Sequence, residues 1–124
     1  MANPEFIKSF TAEAAVQPYT IVKFGTADGN VAPAAAATDA LLGVAGPVGG
    51  DLNGIVDIIL DGIAEVKAGG AITRGDQLTS DANGAAVTAS PAAGVNNRII
   101  GVAMVSAAAG DIFPVLVEQS VIQG

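Results

Sequence analysis

Hydrophobic and polar residues alternate most regularly over residues 55–66. Every second position from Val56 to Val66 is apolar or glycine, and the positions between them alternate isoleucine with an acidic residue. A period of two with many β-branched residues is typical of a strand that is buried on one face. The segment therefore predicts one long strand, or two short strands bent at Gly62.

Shorter apolar runs predict further strands, each bounded by turn residues. The alanine-rich stretches 34–37 and 85–93 are interpreted as loops, since Pro33 and Pro91 limit any helix there. Short strands at this spacing predict an all-β fold, either a small β-barrel or a sandwich. The predicted strands are residues 20–24, 41–45, 99–105 and 113–118, with turns at 28–30, 49–51, 69–70, 83–84 and 110–111.

The same order of features occurs twice along the chain. An Asp/Asn/Gly turn followed by a Gly-Val-Ala step lies within residues 26–45 and again within residues 79–103, and the two Gly-Val-Ala steps are 58 residues apart. A Gly-Asp pair follows each step. We expect a pseudo-twofold internal repeat with half-motifs at about 15–66 and 67–118, inside one barrel domain of residues 15–124. The alternative is chance matching in a sequence rich in Ala, Gly and Val.

Residues 1–14 precede the first predicted strand and contain two of the four phenylalanines. Aromatic residues outside a barrel favour an N-terminal arm that docks on a neighbour, with Phe6, Ile7 and Phe10 as the predicted partner contacts. The alternative is that this segment forms a first strand or folds back onto the barrel's own core.

The composition excludes most catalytic chemistry. The 124 residues include no histidine and no cysteine, so His- or Cys-based triads, disulfides and thiolate zinc sites are ruled out. Asp57, Asp61 and Glu65 form an acidic group, but neighbours four residues apart along a strand are separated by about 13 Å, whereas paired glycosidase carboxylates lie about 5–9.5 Å apart. We expect these acids to lie on a solvated or partner-facing surface. No catalytic residue and no cofactor is predicted.

Two Asp/Asn/Gly segments resemble the start of a calcium loop. Twelve positions from Asp81 end at Ala92 where glutamate is needed, and the loop from Asp28 has Pro33 where glycine is needed. Both are predicted to be hairpin turns, and no metal site is predicted.

Charge and hydropathy bear on the partners. Twelve acidic against five basic residues give a net charge of −7, which disfavours nucleic acid. No apolar run reaches a membrane span, and the pattern of the first residues does not predict a signal peptide, so synthesis in the cytoplasm is expected. Only 14% of residues are charged while 51% are hydrophobic, which favours a homo-oligomer or another covered surface.

The ordered motifs resemble the capsid cement, or head decoration, proteins of tailed bacteriophages. The resemblance covers nearly the whole chain. It implies a structural, non-enzymatic protein of the virion, made in the bacterial cytoplasm, that binds the outer capsid surface as a trimer and reinforces contacts between major capsid protein subunits. The motifs that carry it are residues 19–25, 39–44, 61–66, 69–79 and 98–103.

Two alternatives remain open from the sequence. Lipoyl and biotinyl carrier domains are also small acidic barrels, and Lys67 lies just before a glycine pair, although Val66 replaces the usual Asp or Met. A metal-free hydrolase that uses only Asp and Ser is the other alternative.

Overall fold

The computed structural model describes residues 3–124, with side chains from Phe6 onward. The described residues form strands and no helix, which confirms the predicted all-β class. The strands are β1 (Asn3–Ala12), β2 (Ile21–Phe24), β3 (Asn30–Pro33), β4 (Leu41–Ala45), β5 (Ile55–Lys67), β6 (Gln77–Ser80), β7 (Ala86–Thr88), β8 (Asn96–Ala103) and β9 (Ile112–Gln123).

The first five strands close into a barrel in the order β1-β3-β2-β4-β5. β1 closes it, because it pairs in parallel with β3 and antiparallel with β5. The barrel encloses its own apolar cluster, since alternate residues of each strand point inward. That cluster consists of Ala12, Val16, Val22, Val31, Ala45, Val56 and Ile58.

The second half repeats this arrangement, with strand order β5-β9-β8-β6-β7. Its closing contact is a single parallel bridge between Ala68 and Ala86. The register is also repeated: β4 pairs with β5 through Val44 and Ile59, and β8 pairs with β9 in the same way. The internal repeat predicted from the two Gly-Val-Ala steps is therefore confirmed, while the predicted bounds of its half-motifs stay a prediction. Each half arranges five strands around its own inward-facing residues.

β5 belongs to both halves. Its first part pairs with β1 and β4, and its second part, from Gly62 onward, pairs with β9. Gly62 has a φ of 91°, in the left-handed region that glycine adopts without strain, and the pairing with β1 is irregular there. Of the two alternatives, one long strand is thus confirmed, and Gly62 marks its irregular position. Ile59 differs from expectation, since it lies on the predicted outward face yet is only 5% exposed.

The strands predicted at 20–24, 41–45, 99–105 and 113–118 are confirmed within a few residues. The loop prediction for residues 85–93 was wrong in its first part, because residues 86–88 form β7. Ala86 is fully buried, and its small side chain allows the close bridge to Ala68. A search for strands by branched and aromatic residues passes over such a segment.

Residues 3–12 of the predicted arm form β1, as in the alternative considered for that segment. Met1 and Ala2 lie outside the described residues. The division into an arm and a barrel domain stays a prediction.

Candidate interaction surfaces

β1 separates the predicted contact residues into two environments. The Phe6 and Ile7 side chains are 55% and 48% exposed. Phe10 is half-buried and packs against the core of the first barrel, with the Lys8 Nζ atom 5.9 Å from its ring centroid. Phe6 and Ile7 are therefore available to a partner, whereas Phe10 also stabilises the barrel. Their contact with a partner stays a prediction.

A second apolar surface, which the sequence did not reveal, lies on the loop between β4 and β5 and on the first residue of β5. Val48 is 89% exposed, and Ile55 and Leu52 are exposed as well. Val48 and Ile55 line two shallow depressions on this loop. We call Val48, Leu52 and Ile55 the loop patch. No sequence pattern predicts this surface, because apolar residues are usually assigned to the core and only the structure shows that they are exposed here.

Most acidic side chains that have a described hydrogen bond stabilise turns. Asp39 accepts hydrogen bonds from the backbone N–H groups of Ala35 and Ala36, at 2.8 and 3.1 Å. Asp76, Asp81 and Asp111 accept from backbone N–H groups in the same manner. Carboxylates of this kind hold loops in place and satisfy donors that would otherwise need water. Much of the acidic composition thus serves the fold.

The acidic group on β5 faces outward, as the sequence predicted. Asp57 is exposed and accepts a hydrogen bond from the Ser9 hydroxyl at 2.7 Å. Asp61 is exposed and accepts from the backbone N–H of Gly62, while Glu65 is half-buried. The two segments compared with calcium loops are hairpin turns, in which Asp81 binds the N–H groups of Asn83 and Ala85. Among the described residues, no group of three or more acidic side chains is placed to hold a metal ion.

Lys67 lies at the end of β5, where it pairs with Ile112. Its backbone N–H donates to the Tyr19 carbonyl at 3.0 Å, and its exposed side chain lines an open groove together with Asp81. Nothing in this arrangement favours attachment of lipoate or biotin, so the carrier interpretation stays a prediction.

Hydrogen bonds to the Glu13 carboxyl displace its pKa. The backbone N–H of Thr26 donates to Glu13 Oε1 at 2.7 Å, which lowers the pKa of this carboxyl below its ordinary value of 4.5. The Thr26 hydroxyl, also hydrogen-bonded to Oε1, lowers it further. The contact ties the turn after β1 to the turn after β2.

This contact predicts a pH-dependent contribution to stability. Because the folded-state pKa is lowered, the contribution is complete above about pH 4.5 and is lost as the pH falls through the folded-state value. The melting temperature of Glu13→Gln should therefore be below that of the wild type at neutral pH and approach it in acid. NMR titration of the Glu13 carboxyl checks the direction: a pKa of 4.5 or higher would contradict it. Thr26→Val, which keeps the backbone donor, should retain most of the lowering.

Among the described residues, the structure contains no helix that is long and apolar enough to cross a membrane.

Comparison with known proteins gives similarities of two kinds, to a family model and to solved structures. A family model described as "Phage cement protein" matches residues 3–119. The head fiber gp8.5 N base of bacteriophage phi29 has a similar structure, with a TM-score of 0.68 and 21% sequence identity over 96% of this chain and 98% of that one. At this identity the second similarity shows a shared fold. No curated protein matches the sequence.

Proposed function

Because the chain belongs to the phage cement protein family, we propose that it binds the outer surface of a phage head and stabilises contacts between major capsid protein subunits, without catalysing a reaction. The observation that carries this proposal is the family match over residues 3–119. The chain then acts in the virion, after synthesis in the cytoplasm of the host bacterium.

The chemistry of the surface supports this role. The described part of the chain exposes large apolar side chains on several elements, including Phe6, Phe24, Val48 and Ile55. Apolar surface of this kind marks protein contacts. The absence of histidine and cysteine from the sequence agrees with a task that needs shape and apolar contact instead of a reactive group.

We propose further that the protein is a homotrimer on the head. A trimer presents its contact surface in several copies, so that a modest interface per chain is multiplied by avidity. Phe6 and Ile7, exposed on β1, and Phe10 beside them are the proposed partner contacts.

Electron cryomicroscopy of heads incubated with the purified protein tests this function. The heads should come from the phage that encodes the chain, prepared without it. We expect density for the protein at regular positions on the outer surface of expanded heads. Heads that show no added density at saturating protein concentration would contradict the proposal, as would density only inside the shell.

A further inference from the structure

The first barrel packs against the second by placing its outer surface over one end of that barrel. Ile21, Val44 and Ile59 lie side by side across β2, β4 and β5, because each pairs with the next. They are 0%, 0% and 5% exposed. All three belong to the same apolar cluster as the core of the second barrel. This row is therefore an internal docking surface.

Backbone hydrogen bonds surround the apolar row at this junction. The N–H of Ile21 donates to the Gly84 carbonyl at 2.8 Å, and the N–H of Arg98 donates to the Ala37 carbonyl at 2.7 Å. Gly84 follows β6 and Arg98 lies on β8. The junction thus has an apolar centre and a hydrogen-bonded edge, which is the usual build of a specific interface.

The repeat places an equivalent row on the second barrel. Gln77 pairs with Val102, and Val102 pairs with Leu116, in the same register as the row of the first barrel. Here Leu116 is 40% exposed, Gln77 is exposed and Val102 is half-buried. Leu116 also pairs with Ile63, a half-buried residue of β5, so the apolar surface continues beyond the row. We call Gln77, Val102 and Leu116 the outer row.

The first barrel covers one end of the second barrel, and the repeat gives the first barrel an equivalent end of its own. The residues at the covered end are at most 2% exposed. Their equivalents in the first barrel are half-buried or exposed, and Phe24 reaches 55% exposure. We call these equivalents the open end. The covered residues are Val66, Ser80, Ile100 and Val117, and the open end consists, in the same order, of Phe10, Phe24, Leu42 and Leu60.

The side chains at the open end differ in character from those at the covered end. Phe24 lies at the position that the small Ser80 has in the second barrel, and Phe10 lies at the position of Val66. Two aromatic side chains are therefore added where the chain's own halves leave the end uncovered. Large aromatic residues are enriched among the residues that dominate binding energy at interfaces.

We infer that copies of this chain associate head to tail, with the outer row of one copy covering the open end of the next. The contact repeats between chains the junction that already joins the two barrels within a chain. Such an interface uses two different surfaces, and it gives a closed ring where the rotation between copies closes. The inference supplies a contact surface for the trimer of the proposed function and rests on that function only for the number of chains in the ring.

Two substitutions test the two surfaces separately. Leu116→Asp places a charge in the outer row, and Phe24→Asp places one at the open end, each at an exposed position that should tolerate it. Sedimentation-velocity masses should fall from three chains for the wild type to one chain for either variant. Val48→Asp, on the loop patch, is the matched control and should stay trimeric. Circular dichroism melts verify that each variant is folded, and Val102→Lys serves as a second outer-row variant.

Mixing the two variants gives the sharpest test. Phe24→Asp keeps an intact outer row, and Leu116→Asp keeps an intact open end. Head-to-tail contact therefore predicts that an equimolar mixture forms a complex of two chains, although each variant alone is monomeric. A contact between two identical surfaces would give no such complex.

Three results would overturn the inference: a monomeric wild type, oligomers that persist in both variants, or a mixture that stays monomeric. These masses are measured without capsids. If the masses contradict head-to-tail contact, microscopy still decides whether the protein binds heads. If the protein does not bind heads, the masses in solution still decide whether its copies associate.

Discussion

Replacement of Gly101 by alanine is expected to destabilise the protein by about 3 kcal/mol, the upper end of the usual cost of overpacking. A Cβ atom at this position would collide with the carbonyl oxygen of Leu116 and lie 3.0 Å from Val115 Cγ1. Gly101 lies on β8 and faces β9, so the collision involves the backbone of the paired strand and cannot be relieved by a side-chain rotation. Relief requires β8 and β9 to separate. The expected loss is a large share of the roughly 5–15 kcal/mol that stabilises a domain of this kind.

Urea denaturation of the Gly101→Ala variant measures this effect. Gly70→Ala is the matched control, because the nearest atom to its new Cβ, Val87 Cγ1, lies 3.9 Å away. The control should be within about 1 kcal/mol of the wild type, since alanine also restricts the unfolded chain. Equal stability of the two variants would contradict the collision. Gly43, which has the equivalent position on β4 and would meet the Ile59 carbonyl, should behave like Gly101.

Truncation of Phe113 to alanine is expected to cost about 3–5 kcal/mol. The side chain is 2% exposed and lies in the cluster that joins the second barrel to the outer surface of the first. Its removal leaves a cavity among residues of several strands, which cannot all collapse into the space. The loss of stability should therefore be larger than that caused by truncating an exposed side chain.

The melting temperature and urea midpoint of Phe113→Ala check this expectation. Val121→Ala, on the same strand at 56% exposure, is the control and should change stability by less than about 0.5 kcal/mol. A Phe113→Ala variant as stable as the control would show that the two barrels do not depend on this cluster.

The sequence predicted the fold best where local pattern and burial agree. β5 could be predicted because buried and more exposed residues alternate along most of its length, through both barrels. Gly62 marks the point where the strand passes from one barrel to the other. The two Gly-Val-Ala steps revealed the repeat for a physical reason: Gly43 and Gly101 both lie against the carbonyl of a paired strand, so neither half accepts a side chain there.

Other features depend on contacts between distant segments. Ile59 alternates with acids and reads as outward-facing, yet the second barrel covers it. β7 contains only one branched apolar residue, Val87, and is held by Ala86 beside the end of β5. Neither the burial of Ile59 by the second barrel nor the bridge at Ala86 produces a periodic pattern of apolar residues in the sequence.

The candidate site was only partly predictable. The aromatic residues of the N-terminal segment directed attention to Phe6, Ile7 and Phe10, and two of these are exposed. The open end required the structure, because Leu42 and Leu60 join Phe10 only through the pairing of three strands around the first barrel. The outer row likewise becomes visible only when each barrel is compared with the other.

Heating of phage heads with and without the protein tests the cement function most directly. Heads prepared without the chain are saturated with the purified protein, and the release of packaged DNA is followed with a fluorescent dye as the temperature rises. We predict release at a higher temperature for saturated heads, since a bound cement protein must be displaced before capsid subunits separate. Release at the same temperature, with the protein shown by sedimentation to be bound, would contradict a stabilising role.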